Sequence, residues 1–115
     1  MEALPLAAAA MLGQVDVSAQ VVLGLAGNFE RNVIEYQCEG LDPFKVDFIN
    51  AAPNFIAIVP IGPQRLVFVN VIAADGAKYV AGQFEFWTRG SDATLTDLQA
   101  DPPTPLECSE YIDTP

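Results

Sequence analysis

Among side chains able to carry chemistry, histidine is absent and cysteine occurs twice, at Cys38 and Cys108. Without imidazole there is no Ser-His-Asp or Cys-His nucleophile and no imidazole zinc site, and two thiols cannot make a four-thiolate metal centre. Two cysteines can form one disulfide, which an even count in a small exported domain favours; two buried free thiols are the other possibility. Carboxylates are plentiful, with fifteen Asp plus Glu among 115 residues. A glycosidase needs two of them at a set separation across a sugar bond, and Asp75 with Glu85 is the pair on offer. Nothing in their spacing fixes that separation, and chance pairs are expected at this density. The expectation is a protein with no catalytic residues, no metal and no cofactor.

Charge says more about partners. Five Lys plus Arg against those fifteen acids give a net charge of −10. Such a surface repels a phosphate backbone, so nucleic acid is excluded, and an anionic membrane face is an equally poor surface to bind. It attracts cations, and the large one is a basic protein. Solubility alone is the blander explanation of the same charge.

The elements that position these residues are strands. Val33–Cys38 is a β-branched and aromatic run, stopped by Gly40 and Asp42-Pro43. Phe44, Val46 and Phe48 alternate with Lys45 and Asp47, the pattern of a half-buried antiparallel strand. Phe55–Val59 and Leu66–Val71 follow, separated by Pro60 and Gly62-Pro63. Asp75-Gly76 is a turn dipeptide, because glycine takes positive φ without a Cβ clash. Lys78–Ala81, Gln83–Thr88 and Ala93–Leu98 complete the series, and a tail with Pro102, Pro103 and Pro105 crosses the surface to Cys108. Six or seven short strands without a long helix predict an all-β antiparallel fold. A small closed barrel hides its edges, with a sandwich as the alternative.

The first 30 residues stand apart from this pattern. Residues 4–12, LPLAAAAML, are too short to span a membrane and resemble the apolar part of a signal peptide, with Val17-Ser18-Ala19 as a cleavage-like site. The basic start is missing. No cysteine precedes Cys38, so no lipidated anchor is expected near the start. Residues 14–25 alternate as a strand would, yet also tolerate a helix, so 1–30 is left open between signal remnant and extra element. Residues 31–115 are expected to form the barrel. An apolar leading segment also allows a homodimer.

One cluster of motifs is more specific. IEYQCEG, followed three strands later by ADGAKYVAGQFEFWTRGSDATL, resembles the membrane-bound and periplasmic inhibitors of c-type lysozyme. Tyr36 and Cys38 match that family's Tyr-x-Cys start. Gly76 and Tyr79 match its Ser-Gly-x-x-Tyr loop. Trp87, Gly90, Asp92 and Ala93 match its Trp-x-Lys-Gly motif and the acidic-Ala pair after it. The resemblance runs from about Ile34 to Cys108.

The resemblance implies an eight-stranded antiparallel barrel with a Cys38–Cys108 disulfide. It also implies a periplasmic location and two neighbouring loops that enter the sugar-binding cleft of a c-type lysozyme, a basic protein. The contact residues it implies are Asp75, Gly76, Lys78, Tyr79, Arg89 and Gly90. Two positions depart from the family: Asp75 stands for its serine and Arg89 for its lysine. Arginine keeps the charge and adds a planar donor fork that can grip a carboxylate. Asp75 would be a third carboxylate beside the two in a lysozyme cleft, repelled unless it turns to a cationic neighbour; the alternative is that it only shapes its turn. Trp87 is expected to pack, and Lys78 to be a solvated neighbour of Asp75. The alternative function is a small periplasmic barrel carrying an apolar ligand, with Phe84 and Phe86 lining its cavity. A filled barrel with both loops at one end favours the inhibitor.

Overall fold

The computed structural model describes residues 27–112, together with Val22 and Gly24. Most of the amino-terminal segment, including the signal-like run, therefore lies outside the described residues. Eight strands follow in order: β1 (Glu30–Cys38), β2 (Phe44–Ala51), β3 (Asn54–Ile61), β4 (Gln64–Val71), β5 (Ala77–Ala81), β6 (Phe84–Arg89), β7 (Asp92–Asp97) and β8 (Leu106–Glu110). Each pairs antiparallel with the next, and β8 returns to β1, so a single sheet closes on itself. That excludes the sandwich. The eighth strand comes from the proline-rich tail, where the sequence pattern shows only a surface crossing.

Alternation decides which side chains enter the barrel. Tyr36, Val46, Phe48, Ala57, Val59, Phe68, Tyr79, Phe86 and Leu95 point inward and are buried. Register stacks them across the sheet: Phe48 lies opposite Ala57, Ala57 opposite Phe68, and Phe86 opposite both Tyr79 and Leu95. The aromatic rings meet edge-on or tilted, with Tyr36 at 5.2 Å from Phe86 and Phe48 at 5.6 Å from Tyr79, separations suited to the ring quadrupoles. Side chains fill the interior, as in other small eight-stranded barrels. A ligand chamber of the kind an apolar carrier needs has no room there.

The seam between β8 and β1 is short. Only Tyr36↔Glu110, Gln37↔Ser109 and Cys38↔Cys108 are paired across it. Its last pair is covalent: Cys38 and Cys108 are bonded across 70 residues of sequence, and no described cysteine is free. On the loop-entropy model a closure of this length stabilises by about 4 kcal/mol. The outer wall is tied by charge as well, since Asp47 on β2 accepts Arg65 of β4 at 2.9 Å and Arg31 of β1 at 3.2 Å.

Two predictions come from this interior. Thiol titration of the denatured, unreduced protein should find no free sulfhydryl, and reduction should lower the urea midpoint by the equivalent of about 4 kcal/mol. Burial foremost, then the charge of Glu110 and the neighbouring Tyr79, push the Tyr36 phenol up to about 12. A phenol whose folded pKa lies above its unfolded value of 10.0 contributes stability that is intact below pH 10 and lost as pH climbs toward 12. Stability measured by urea titration should therefore fall by about 3 kcal/mol as pH climbs from 10 past 12. The Tyr79 phenol, also raised by burial, adds to the loss, and Tyr36→Phe should lessen it.

Candidate functional site

Antiparallel order places the loop between β4 and β5 (residues 72–76) and the turn between β6 and β7 (Gly90 and Ser91) at one end of the barrel. The adjacent pair β5–β6 joins them, with Ala77 opposite Thr88 at the last rung. Thr88 Oγ1 also donates to the Ala77 carbonyl at 3.3 Å. Glycine permits the close approach. Gly76 has φ of 63°, and a Cβ there would fall on the Thr88 carbonyl oxygen and press the Arg89 side chain at 3.0 Å. No other residue lets the loop lie flat against β6.

Trp87 organises what faces outward at this end. It lies on the outer side of β6, between Glu85 and Arg89 in the alternation. Its indole N–H donates to the Asp75 carbonyl at 2.9 Å, which pins the loop to the strand. The Arg89 guanidinium lies over the indole at 3.7 Å, and Lys78 Nζ lies over it at 4.0 Å. Lys78 reaches the ring because it is the cross-strand partner of Trp87, and Arg89 because it is two residues further along the same face. Such cation–π contacts at partly exposed sites stabilise by about 0.5–1 kcal/mol each.

Asp75 and Arg89 meet in the same cluster. Arg89 Nε donates to Asp75 Oδ1 at 3.4 Å, with the carboxylate side chain 68% exposed and the guanidinium side chain 44% exposed. An ion pair this exposed is worth about 0–1 kcal/mol, so it orients Arg89 without locking it. Asp75 thus turns to a cationic neighbour within its own chain. Glu85 pairs with Lys78 at 3.7 Å, so each carboxylate of the glycosidase candidate is held by a cation of its own.

Of the six residues drawn from the motifs, Asp75 and Gly76 on the loop, Gly90 on the turn and Arg89 at the end of β6 lie together. Lys78 is beside them, but its ionic partner is Glu85 and not Asp75. Tyr79 points into the barrel, where it is 6% exposed. Trp87 packs on the outer rim, and its role as the support of the β4–β5 loop and of Arg89 is the part the motifs understate. The i, i+2 spacing of Trp87 and Arg89, and a hairpin register turning at Gly82, are the signals that reveal it.

The fold and this site define a class: a disulfide-closed barrel with a filled interior, and at one end an exposed loop and turn flanked by the cations of β5 and β6. A family model described as membrane-bound lysozyme-inhibitor of c-type lysozyme matches residues 36–103, and the chain belongs to that family. The membrane-bound lysozyme inhibitor of C-type lysozyme of Pseudomonas aeruginosa is 44% identical over 82 residues, covering 68% of this chain and 65% of the relative. Its counterpart in Cupriavidus necator is 36% identical over 65 residues, covering 56% of this chain and 52% of the relative. The match thus spans less than two thirds of the length of either relative. Among solved structures, the chain resembles Pseudomonas aeruginosa MliC crystallised in complex with hen egg white lysozyme, with a TM-score of 0.68 and 39% identity. That likeness covers 83% of this chain and all of the solved one.

The glycine approach is directly testable. Gly76→Ala should lift the loop from β6 and destabilise the barrel by about 2 kcal/mol or more, since both positive φ and the Thr88 carbonyl oppose a Cβ. Urea unfolding reads the cost, and the fluorescence of Trp87 reads the lost hydrogen bond.

Proposed function

We propose that this protein inhibits a c-type lysozyme by seating the β4–β5 loop and the β6–β7 turn in the enzyme's sugar-binding cleft, as a binding protein without turnover. The observation that carries the reading is Arg89, a half-exposed cation over Trp87 beside the loop that Gly76 makes possible. A lysozyme cleft presents a carboxyl with raised pKa and an ionised carboxylate. A guanidinium is the group to meet them, because its planar fork donates two parallel hydrogen bonds to a carboxylate. Asp75 is held by Arg89, which reduces its repulsion from an acidic cleft.

The net charge of −10 supports the same partner. Complementary fields accelerate encounter with a basic enzyme and select against acidic ones, more than they raise final affinity. The same reading puts the protein outside the cytoplasm, in the periplasm. The Cys38–Cys108 bridge is chemistry that persists in an oxidising compartment, and the family name points the same way. Residues 31–115 are the part that carries the inhibitory module.

Adding the purified protein to a c-type lysozyme in a cell-wall lysis assay is the direct test: clearing should stop at stoichiometric amounts, and undiminished lysis would refute the reading. Arg89→Ala should weaken binding by about 2–5 kcal/mol, because an enzyme carboxylate is then buried without its partner. Arg89→Lys, which restores the family residue, should cost much less. Asp75→Asn should hold or strengthen binding, since it frees Arg89 and removes a negative charge from the interface. The association rate should drop clearly between about 0.05 and 0.5 M salt as screening shortens, while dissociation changes less.

A further inference from the structure

The barrel is open at the end that carries the two loops. A depression of about 220 Å3 sits in that mouth, lined by Tyr36, Tyr79, Asn32, Asn50 and Glu110, with Gly90 of the β6–β7 turn on its rim. Asn32 and Asn50 occupy inward positions, in alternation with Ile34 and Phe48, so polar groups replace apolar ones where the core ends. Glu110 faces inward opposite Tyr36, and its amide donates to the Ser91 carbonyl at 2.9 Å. The end of β8 is therefore tied directly to the β6–β7 turn.

The chemistry of this mouth is one-sided. All five basic residues of the chain, Arg31, Lys45, Arg65, Lys78 and Arg89, take outward positions on their strands. No cation lines the depression, whereas Glu110 brings a carboxylate to it. Two phenol hydroxyls and two amide carbonyls add groups that can accept a hydrogen bond. No hydrogen bond among the described residues engages either phenol hydroxyl. A space of this size admits one long side chain.

We infer that the barrel mouth is a second recognition pocket, taking a single lysine or arginine side chain of the protein docked on the two loops. The inference rests on the docking reading above and deepens it by naming a contact on the partner's side. An ammonium or guanidinium entering here meets Glu110 in a partly enclosed site, where a charge pair is worth more than on open surface. The phenol oxygens of Tyr36 and Tyr79 and the side-chain carbonyls of Asn32 and Asn50 can accept its N–H groups. The net charge then brings the basic partner close, and the mouth fixes its register beside the loops.

The test uses the whole protein with hen egg white lysozyme as the probe. Glu110→Gln keeps the backbone bond to Ser91 and removes only the charge. It should raise the dissociation constant about tenfold or more, mainly through faster dissociation, with an unchanged urea midpoint. Asp42→Asn removes the same charge at the far end of the barrel and should leave the dissociation rate as it is. The ring NMR signals of Tyr36 and Tyr79 should shift when lysozyme is added to the unaltered protein. If Glu110→Gln dissociates like Asp42→Asn and the tyrosine signals stay in place, the pocket is not used and this inference falls. Should Arg89→Ala weaken binding in that same experiment, the loop reading stands without it. Absence of any complex with the unaltered protein removes the reading and this inference together.

Discussion

Closure of the sheet between β1 and β8 is the constraint on which the other features depend. Without the β1–β8 pairing both strands would be open edges, and the aromatic interior would have water on one side. Three rungs of hydrogen bonding are a short seam, and a marginal barrel of this size gains from a covalent one. Once the seam is shut, strand order alone sets which loops share an end. The β4–β5 loop, the β6–β7 turn and the end of β8 meet there because the barrel has eight strands and no crossover.

The site is built by the same economy. One indole hydrogen bond, two cations over a ring and one exposed ion pair hold the loop and the turn in a fixed relation, and none of these contacts is strong alone. Their value is positional. On the reading proposed above, Arg89 is aimed before a partner arrives, so less freedom is lost on docking, while its exposed pairing with Asp75 is exchanged for an enzyme carboxylate at small cost. Gly76 sets the geometry, because the loop reaches Trp87 only where no side chain stands between it and Thr88.

Much of this was legible in the sequence wherever a strand was long enough to show its two faces. Phe44 to Phe48 and Phe84 to Thr88 reveal their inward sides by alternation, and Gly62, Asp75-Gly76 and Gly90 mark turns. The motif resemblance supplied the eighth strand and the disulfide pairing. Leu106–Glu110 was not legible by itself: three prolines precede it, it runs five residues, and only its pairing with β1 and β7 makes it a strand. Tyr79 stands in a matched motif yet faces the core, because motif spacing records position along the chain and not direction across the sheet. The cluster around Trp87 depends on the β5–β6 register, which brings Lys78 opposite the indole; hairpin register follows from loop geometry that a residue count only approximates.

Trp87 is the single tryptophan of the chain, and it sits where the two loops join while the barrel interior is furnished with tyrosine and phenylalanine. The molecule therefore separates its own spectroscopic signals. Indole emission belongs to the loop end, whereas the ring signals of Phe48, Phe68 and Phe86 belong to the core. Local loosening of the loops and global opening of the barrel are distinguishable in the unlabelled protein, so the stability of the loop end can be measured apart from that of the scaffold beneath it.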